Sequence, residues 1–380
     1  MTRHHLFATA AIALATAIAC SGGASEPDLI GRGLLGGTDT DKLSVPLEDV
    51  YVDTFVSGAI PLSEIDEVTL LALRDAIPPI DNPPYDSAQA AGDWLDSDAL
   101  VLGYVDADGQ AYAYPTRILD VHEIVNDELG GRPILISYCP LCRSGIVYDR
   151  VLDGQELSFG NTSALYESDL VMFDRETLSY WFQVGGEAIV GELTGARLTP
   201  LPSITTTWNQ WLELHPDTLV LSRNLGFGRT YESDITSSLE AFLNAGNFPF
   251  PVTDAAKDDR LEPAALVLGV EHDDARRAYA IGDLGDAAIN DTLASERIVV
   301  LSREGGPAAA AFLAEVSGQQ LTFESRNGSF VDRETDSEWS LTGTAIAGEL
   351  SGAQLEPLAV RTAFWFSYAS AFPGVELYEP

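Results

Sequence analysis

The sequence predicts a β-rich α+β protein: two tandem repeats of a mainly antiparallel β domain with short helices. Three observations carry that prediction. Short apolar runs separated by Gly, Asp and Asn turns recur at close spacing from about residue 99 onward. Helical spacing is confined to brief stretches. An ordered set of motifs also returns in the second half. Ala99-Leu100-Val101-Leu102-Gly103 comes back as Ala265-Leu266-Val267-Leu268-Gly269, and Asn126-Asp127 as Asn290-Asp291. Asp174-Arg175-Glu176-Thr177 comes back as Asp332-Arg333-Glu334-Thr335, with Trp181 falling on Trp339 and Trp208 on Trp365. Recurrence this long and ordered points to duplication of a domain-sized unit.

Taken in order, residues 1–19 read as a lipoprotein signal. Arg3, His4 and His5 precede an apolar run, Leu6 to Ile18, too short to span a bilayer, and Ala17-Ile18-Ala19-Cys20 offers small residues before a cysteine. Cleavage before Cys20 and acylation on it would hold the protein to a membrane by lipid. That places it by the secretory route in a bacterial envelope, on the periplasmic or exterior face; plain secretion with an incidental cysteine is the alternative. Residues 20–50, Gly-rich and acidic, read as a flexible tether without regular structure. Residues 51–230 form the first repeat, 231–260 a connecting arm and 261–380 the second repeat.

Within the first repeat, Glu64 to Arg74 has helical spacing, and the prolines of residues 76–84 demand an extended arm. Ala88 to Leu95 reads as a short helix. Ala99–Val105 and Gln110–Tyr114 read as paired strands. Ile118, Val121, Ile124, Val125 and Leu129 have helical spacing, so one helix is expected from 118 to 129, stopped by Gly130-Gly131. Ile134 to Arg150 then reads as two strands around Cys139-Pro140-Leu141-Cys142. Thr206 to Leu214 is a helix carrying Trp208 and Trp211, and Thr218 to Ser222 another strand.

Charge excludes some functions. With 58 acidic against 21 basic side chains the net charge is −37, a field that repels nucleic acid and anionic head groups. No glycine loop that cradles phosphate opens a helix, so no nucleotide cofactor is expected. The other small or macromolecular partners are left open.

The duplication supplies an internal control, since residues found in one half only are candidates for function. Cys139 falls on Arg303, Cys142 on Gly306, Met172 on Phe330 and His215 on Phe372. Two cysteines at this spacing form a knuckle that aims both sulfurs at one point, as in zinc sites, or closes a small disulfide. His122 is the best third ligand, with Glu123 beside it as an orienting group or general base. Met172 and His215 are further ligand candidates; a thioether would favour copper. Against these stand plainer roles: a helix–sheet contact for His122, a core position for Met172 and a helix cap for His215. Asp149-Arg150, which has no clear copy, reads as a surface ion pair, with lining of the site as the alternative, and Asp174-Arg175-Glu176-Thr177 as a turn that serves the fold.

These residues carry a family resemblance. The run through Tyr112-Ala113-Tyr114-Pro115, His122-Glu123-Ile124-Val125-Asn126-Asp127, Tyr138-Cys139-Pro140-Leu141-Cys142, Asp169 to Thr177 and His215-Pro216-Asp217-Thr218 resembles domain of unknown function 3179. The resemblance implies an envelope or secreted protein and marks His122 and both cysteines as signature positions; it implies no reaction. One departure is Arg143-Ser144 after the second cysteine, where the family often has glycine.

Three functional readings follow. The first is a lipid-anchored protein holding copper or zinc through Cys139, Cys142 and His122, with redox or hydrolytic capacity. The second is a thiol-disulfide oxidoreductase using Cys139 and Cys142, with His122 lowering the pKa of one thiol. The third is a non-enzymatic envelope scaffold or binding module in which the pair forms a structural disulfide.

Overall fold

The computed structural model describes residues 34–56, 58–232, 239–282 and 284–379; the signal and Cys20 lie outside them. It is β-rich, with mainly antiparallel sheets and few short helices. Among the described residues no helix is long and apolar enough to cross a membrane.

Strand pairing follows the same order in the two halves. In the first, Ser203–Thr207, Leu100–Val105, Ala111–Pro115 and Leu219–Leu221 lie side by side, the last pair parallel. In the second, Ala359–Phe364, Leu266–His272, Ala275–Ala280 and Glu376–Leu377 do the same, again with the last pair parallel. Ile124–Leu129, Arg132–Cys139 and Ser144–Asp149 form a meander; Ala287–Leu293, Glu296–Ser302 and Ala309–Leu313 form its counterpart.

Side chains at matching positions make matching bonds. The Asn126 amide clamps the backbone N–H and C=O of Phe159, each at 2.8 Å, and Asn290 does so to Phe323. Trp181 donates its indole N–H to Asp174 at 2.9 Å and Trp339 to Asp332 at 2.9 Å. The same carboxylates accept from the backbone of Thr177 and Thr335, closing the Asp-Arg-Glu-Thr turns. Both tryptophans are fully buried, where an indole N–H needs a partner.

The halves are joined through one sheet. Gly145, just beyond the cysteine turn, pairs with Thr362, so the first meander and the strands of the second half run continuously. Phe364 N–H also donates to Cys142 C=O at 2.8 Å. A second-half strand thus closes over the cysteine turn.

Three readings of the sequence need correction. The helix expected over 118–129 stops at His122, and Ile124–Leu129 is a strand. Glu123 takes φ 60°, which breaks the helix, and Gly130-Gly131 makes the hairpin turn into Arg132 instead of a helix stop. β-branched Ile124 and Val125 suit the strand. The stretch 34–50, expected as tether, has a short hairpin and lies on the first half: Thr38 is buried and bonded to Leu178 C=O, and Gly191 N–H reaches Lys42 C=O. Arg150 is no surface residue; it is buried and holds the carbonyls of Asp127, Ile134 and Leu157. Within the connecting arm at 231–260 lies a short helix, Leu239–Asn244, with Leu243 buried in a core built from both halves.

Candidate metal centre

The site begins with the hairpin. Arg132–Cys139 and Ser144–Asp149 pair in register from Ile134↔Asp149 to Cys139↔Ser144. Ile134 to Cys139 and Ser144 to Tyr148 are buried without a break, so both faces of this hairpin are covered. The turn closes with Cys142 N–H on Cys139 C=O at 3.2 Å. Arg143 then takes φ 49°, the left-handed region that favours glycine. That accounts for the one departure from the family pattern: the position requires a left-handed residue, and arginine accepts it while its guanidinium pairs with Glu240 at 2.6 Å.

The turn brings both sulfurs to one place, 3.2 Å apart and unbridged. A third group joins them. Asp169 opens the strand Asp169–Asp174, and its carboxylate oxygen lies with the two sulfurs in a cluster whose atoms are all within 4.8 Å of one another. All three residues are buried, Asp169 and Cys142 completely. The carboxylate is held by N–H groups of Leu170 at 2.7 Å and Val184 at 3.1 Å. The Ser367 hydroxyl, from the second half, stands 3.4 Å away. Cys142 Sγ reaches Ser168 C=O at 3.3 Å.

Burial sets the electrostatics. Removal from water pushes Cys139 up to about 11, with the nearby carboxyls of Asp169 and Glu123 adding to the rise. It pushes Cys142 well above the ordinary thiol range, and raises Asp169 to about 6 against its hydrogen bonds. Glu123 is only half-buried as a residue, yet its carboxyl is enclosed and pushed up to about 8, chiefly by desolvation. Its Oε2 accepts from the Asn161 amide at 2.5 Å, and its backbone C=O from Tyr138 N–H at 2.8 Å. Four acidic groups thus share one buried neighbourhood, and each is driven toward its neutral form.

The remaining sequence candidates are placed elsewhere. His122 is buried, but its Nδ1 lies 2.7 Å from Pro78 C=O and its Nε2 2.9 Å from the Tyr231 hydroxyl. Both ring nitrogens are engaged and the cluster does not include it; burial holds its pKa below the ordinary value. The reason is the chain reversal at Glu123: the helix presents His122 to the proline-rich arm, and the next residue faces Asn161. Met172 is fully buried in the core. It lies an odd number of residues from Asp169 on one strand, hence on the other face. His215 caps the helix Trp208–Leu214, its ring 4.4 Å from that of Trp211. Asp169 was not singled out from the sequence. Its place is a feature of the structure: the hairpin Phe159–Tyr166/Asp169–Asp174 is longer than Phe323–Arg326/Ser329–Asp332, and Asp169 lies on the extra rungs.

The family profile described as protein of unknown function (DUF3179) matches residues 74–375. The chain belongs to that family. The matched DUF3179 region contains Glu123, Cys139, Cys142 and Asp169, and both halves of the fold. No curated protein and no solved structure matches the chain.

Proposed function

We propose that this DUF3179 protein is a metal-binding protein whose centre is Cys139, Cys142 and Asp169, and that zinc is the ion it suits best. The observation that carries this reading is the convergence of two thiols and a carboxyl in one buried cluster. Buried acids with no ion are forced neutral at a cost in desolvation; a dication turns each into a ligand and releases its proton. Two sulfurs with a carboxylate oxygen are a donor set at home with zinc, whereas copper(I) would take the sulfurs and leave Asp169 idle. Glu123 is a further buried carboxyl, close enough to raise the Cys139 pKa; two thiolates and Asp169 already exceed the charge of a dication, so its neutral form suits the centre. Burial of all three side chains shields the centre from bulk water, and three protein ligands leave the fourth zinc position to a further donor.

The reading places the protein at the bacterial envelope, held by lipid on Cys20; its support is the apolar run and the Ala-Ile-Ala-Cys sequence before the mature chain. It also takes the two halves as copies of one ancestral unit, supported by their strand order and paired hydrogen bonds, with the centre kept in the first.

A second reading has one observation in its favour. Sulfurs 3.2 Å apart need little movement to form a disulfide, which would serve as a redox pair or a brace. Against the redox form, both thiols are buried and held protonated, so the reactive thiolate is scarce.

The test is equilibrium dialysis of the reduced mature chain against zinc, with metal content measured afterward. The wild type is expected to retain about one ion per chain and Cys139→Ser close to none. Equal binding by the two proteins, or none by either, rejects the metal reading.

A further inference from the structure

Cys139 and Cys142 are buried, so no ion or reagent reaches them unless part of the protein moves. The tip of the neighbouring hairpin shows which part. Tyr166 pairs with Asp169, so Glu167 and Ser168 alone make the turn, with φ 54° and 58°. A two-residue turn with both φ values positive favours Asn-Gly. The second half has that pair, Asn327-Gly328, at the tip of its own hairpin. Ala294-Ser295 shows that a pair without glycine can also make such a turn, but both of those side chains are exposed. Glu167 and Ser168 are buried. Their turn therefore carries backbone strain and two enclosed polar side chains together, and each side chain has a specific partner.

That partner is the connecting arm. Glu167 accepts from the Thr253 backbone N–H at 2.9 Å and from its hydroxyl at 2.5 Å. Ser168 Oγ accepts from Phe250 N–H at 3.0 Å and donates to Phe250 C=O at 2.8 Å. The C=O of the same Ser168 accepts from Cys142 Sγ at 3.3 Å. One residue thus touches the thiol with its backbone and the arm with its side chain. A second tie comes from the cysteine turn itself, where Arg143 pairs with Glu240 of the arm helix Leu239–Asn244. Between these ties the arm is thinly anchored: from Leu239 to Thr253, Leu243 is the single buried residue. Segments with few buried contacts open far more readily than the whole fold does.

We infer that residues 239–253 form a strap that opens to admit an ion or a reagent to Cys139 and Cys142, and that Glu167 and Ser168 are its latch. Four hydrogen bonds close the latch, all from two side chains that the matching turn of the second half lacks. Because Ser168 bonds both the arm and Cys142, release of the strap also loosens the contact at the sulfur. The inference concerns access to the sulfurs, and it holds whether they carry an ion or close a disulfide.

The test is a pulse of N-ethylmaleimide on the metal-free, reduced mature chain at a series of low urea concentrations, with the mass of the peptide carrying Cys139 and Cys142 as the readout. Opening of a strap exposes little surface, so the wild-type labelling rate should change little with urea below the unfolding transition, whereas global unfolding would make it rise steeply. Glu167→Asn with Ser168→Gly installs the second half's turn and removes the latch. This double variant should label at least about tenfold faster, as expected for the loss of more than one hydrogen bond, with the same shallow urea dependence. Thr253→Ala leaves the turn intact and removes one bond to Glu167. It should label about three- to tenfold faster, and it decides the matter if the double variant does not fold. A wild-type rate that follows global unfolding throughout, or wild-type rates in the folded variants, overturns the inference. Zinc retention by dialysis is a separate measurement: its absence rejects the metal reading, whereas fast, urea-insensitive labelling of the latch variants still supports the strap.

Discussion

The two halves of this protein differ least where they fold and most where the first half holds its thiols. Asp174–Trp181 and Asp332–Trp339 are the same bond at the same length, and the Asn126 and Asn290 clamps grip matching backbone groups. At the hairpin tip the likeness stops. Where the first half has Cys139, the second has Arg303, whose guanidinium lies 4.2 Å from the centre of the Phe330 ring and beside Asp286. Where the first half extends its next hairpin to reach Asp169, the second turns back after Arg326. Shared bonds mark what the fold requires, and the unshared ones mark the candidate site. The second half still matters to that site, because Phe364 and Ser367 close it.

The comparison can be broken most severely at the cysteines. Arg303→Cys with Gly306→Cys should not give the second half a zinc site, because no counterpart of Asp169 reaches that turn; a second bound zinc by dialysis would show that two thiols suffice. The next largest effect concerns the shared tryptophans. Trp181→Phe and Trp339→Phe each leave a buried carboxylate one donor short, and each should cost about 1–3 kcal/mol in denaturant unfolding. A large cost in one half only would break the equivalence. The clamps sharpen it further. Asn126 is buried and also holds Asp81 at 2.8 Å, whereas Asn290 is exposed. Asn126→Ala should therefore cost about 2 kcal/mol and Asn290→Ala about 1 kcal/mol.

A pH experiment isolates the first half's acids. In the metal-free protein Asp169 and Glu123 have folded pKa values raised to about 6 and about 8, above their unfolded values. The folded chain then binds more protons than the unfolded one between roughly pH 4 and 8. Their contribution is fully present at the acidic end and is lost as pH rises through the raised values. The melting temperature of the metal-free chain should fall from pH 5 to pH 8, and zinc should counter the fall because its binding releases the protons of Cys139, Cys142 and Asp169 and so strengthens as pH rises. A Glu123→Gln, Asp169→Asn double variant should lose that slope. The smallest effect is at the turn. Arg143→Gly relieves the left-handed strain and removes the Glu240 pair, so stability should change by less than about 1 kcal/mol.

Much of the fold was legible because it rests on local chemistry. The Ile134–Arg150 hairpin is announced by two apolar runs around a short turn, and the helix read over Thr206 to Leu214 is found as Trp208–Leu214. The segment 118–129 misled because Ile118, Val121, Ile124, Val125 and Leu129 fit a helical face, and only a left-handed Glu123 divides helix from strand. The site was half legible for a similar reason. Cys139 and Cys142 are neighbours in sequence, so spacing alone unites them. Asp169 arrives from a later hairpin, and no local pattern reports that. His122 was favoured because it is close along the chain, but a reversal at the next residue gives it to Pro78 and Tyr231.

The most direct measurement is X-ray absorption at the zinc edge on the zinc-loaded mature chain, with Asp169→Asn alongside. The account predicts a shell of two sulfurs at about 2.3 Å with lighter oxygen neighbours near 2.0 Å, and a changed oxygen shell in the variant. A shell without sulfur, or one unaltered by Asp169→Asn, would contradict it.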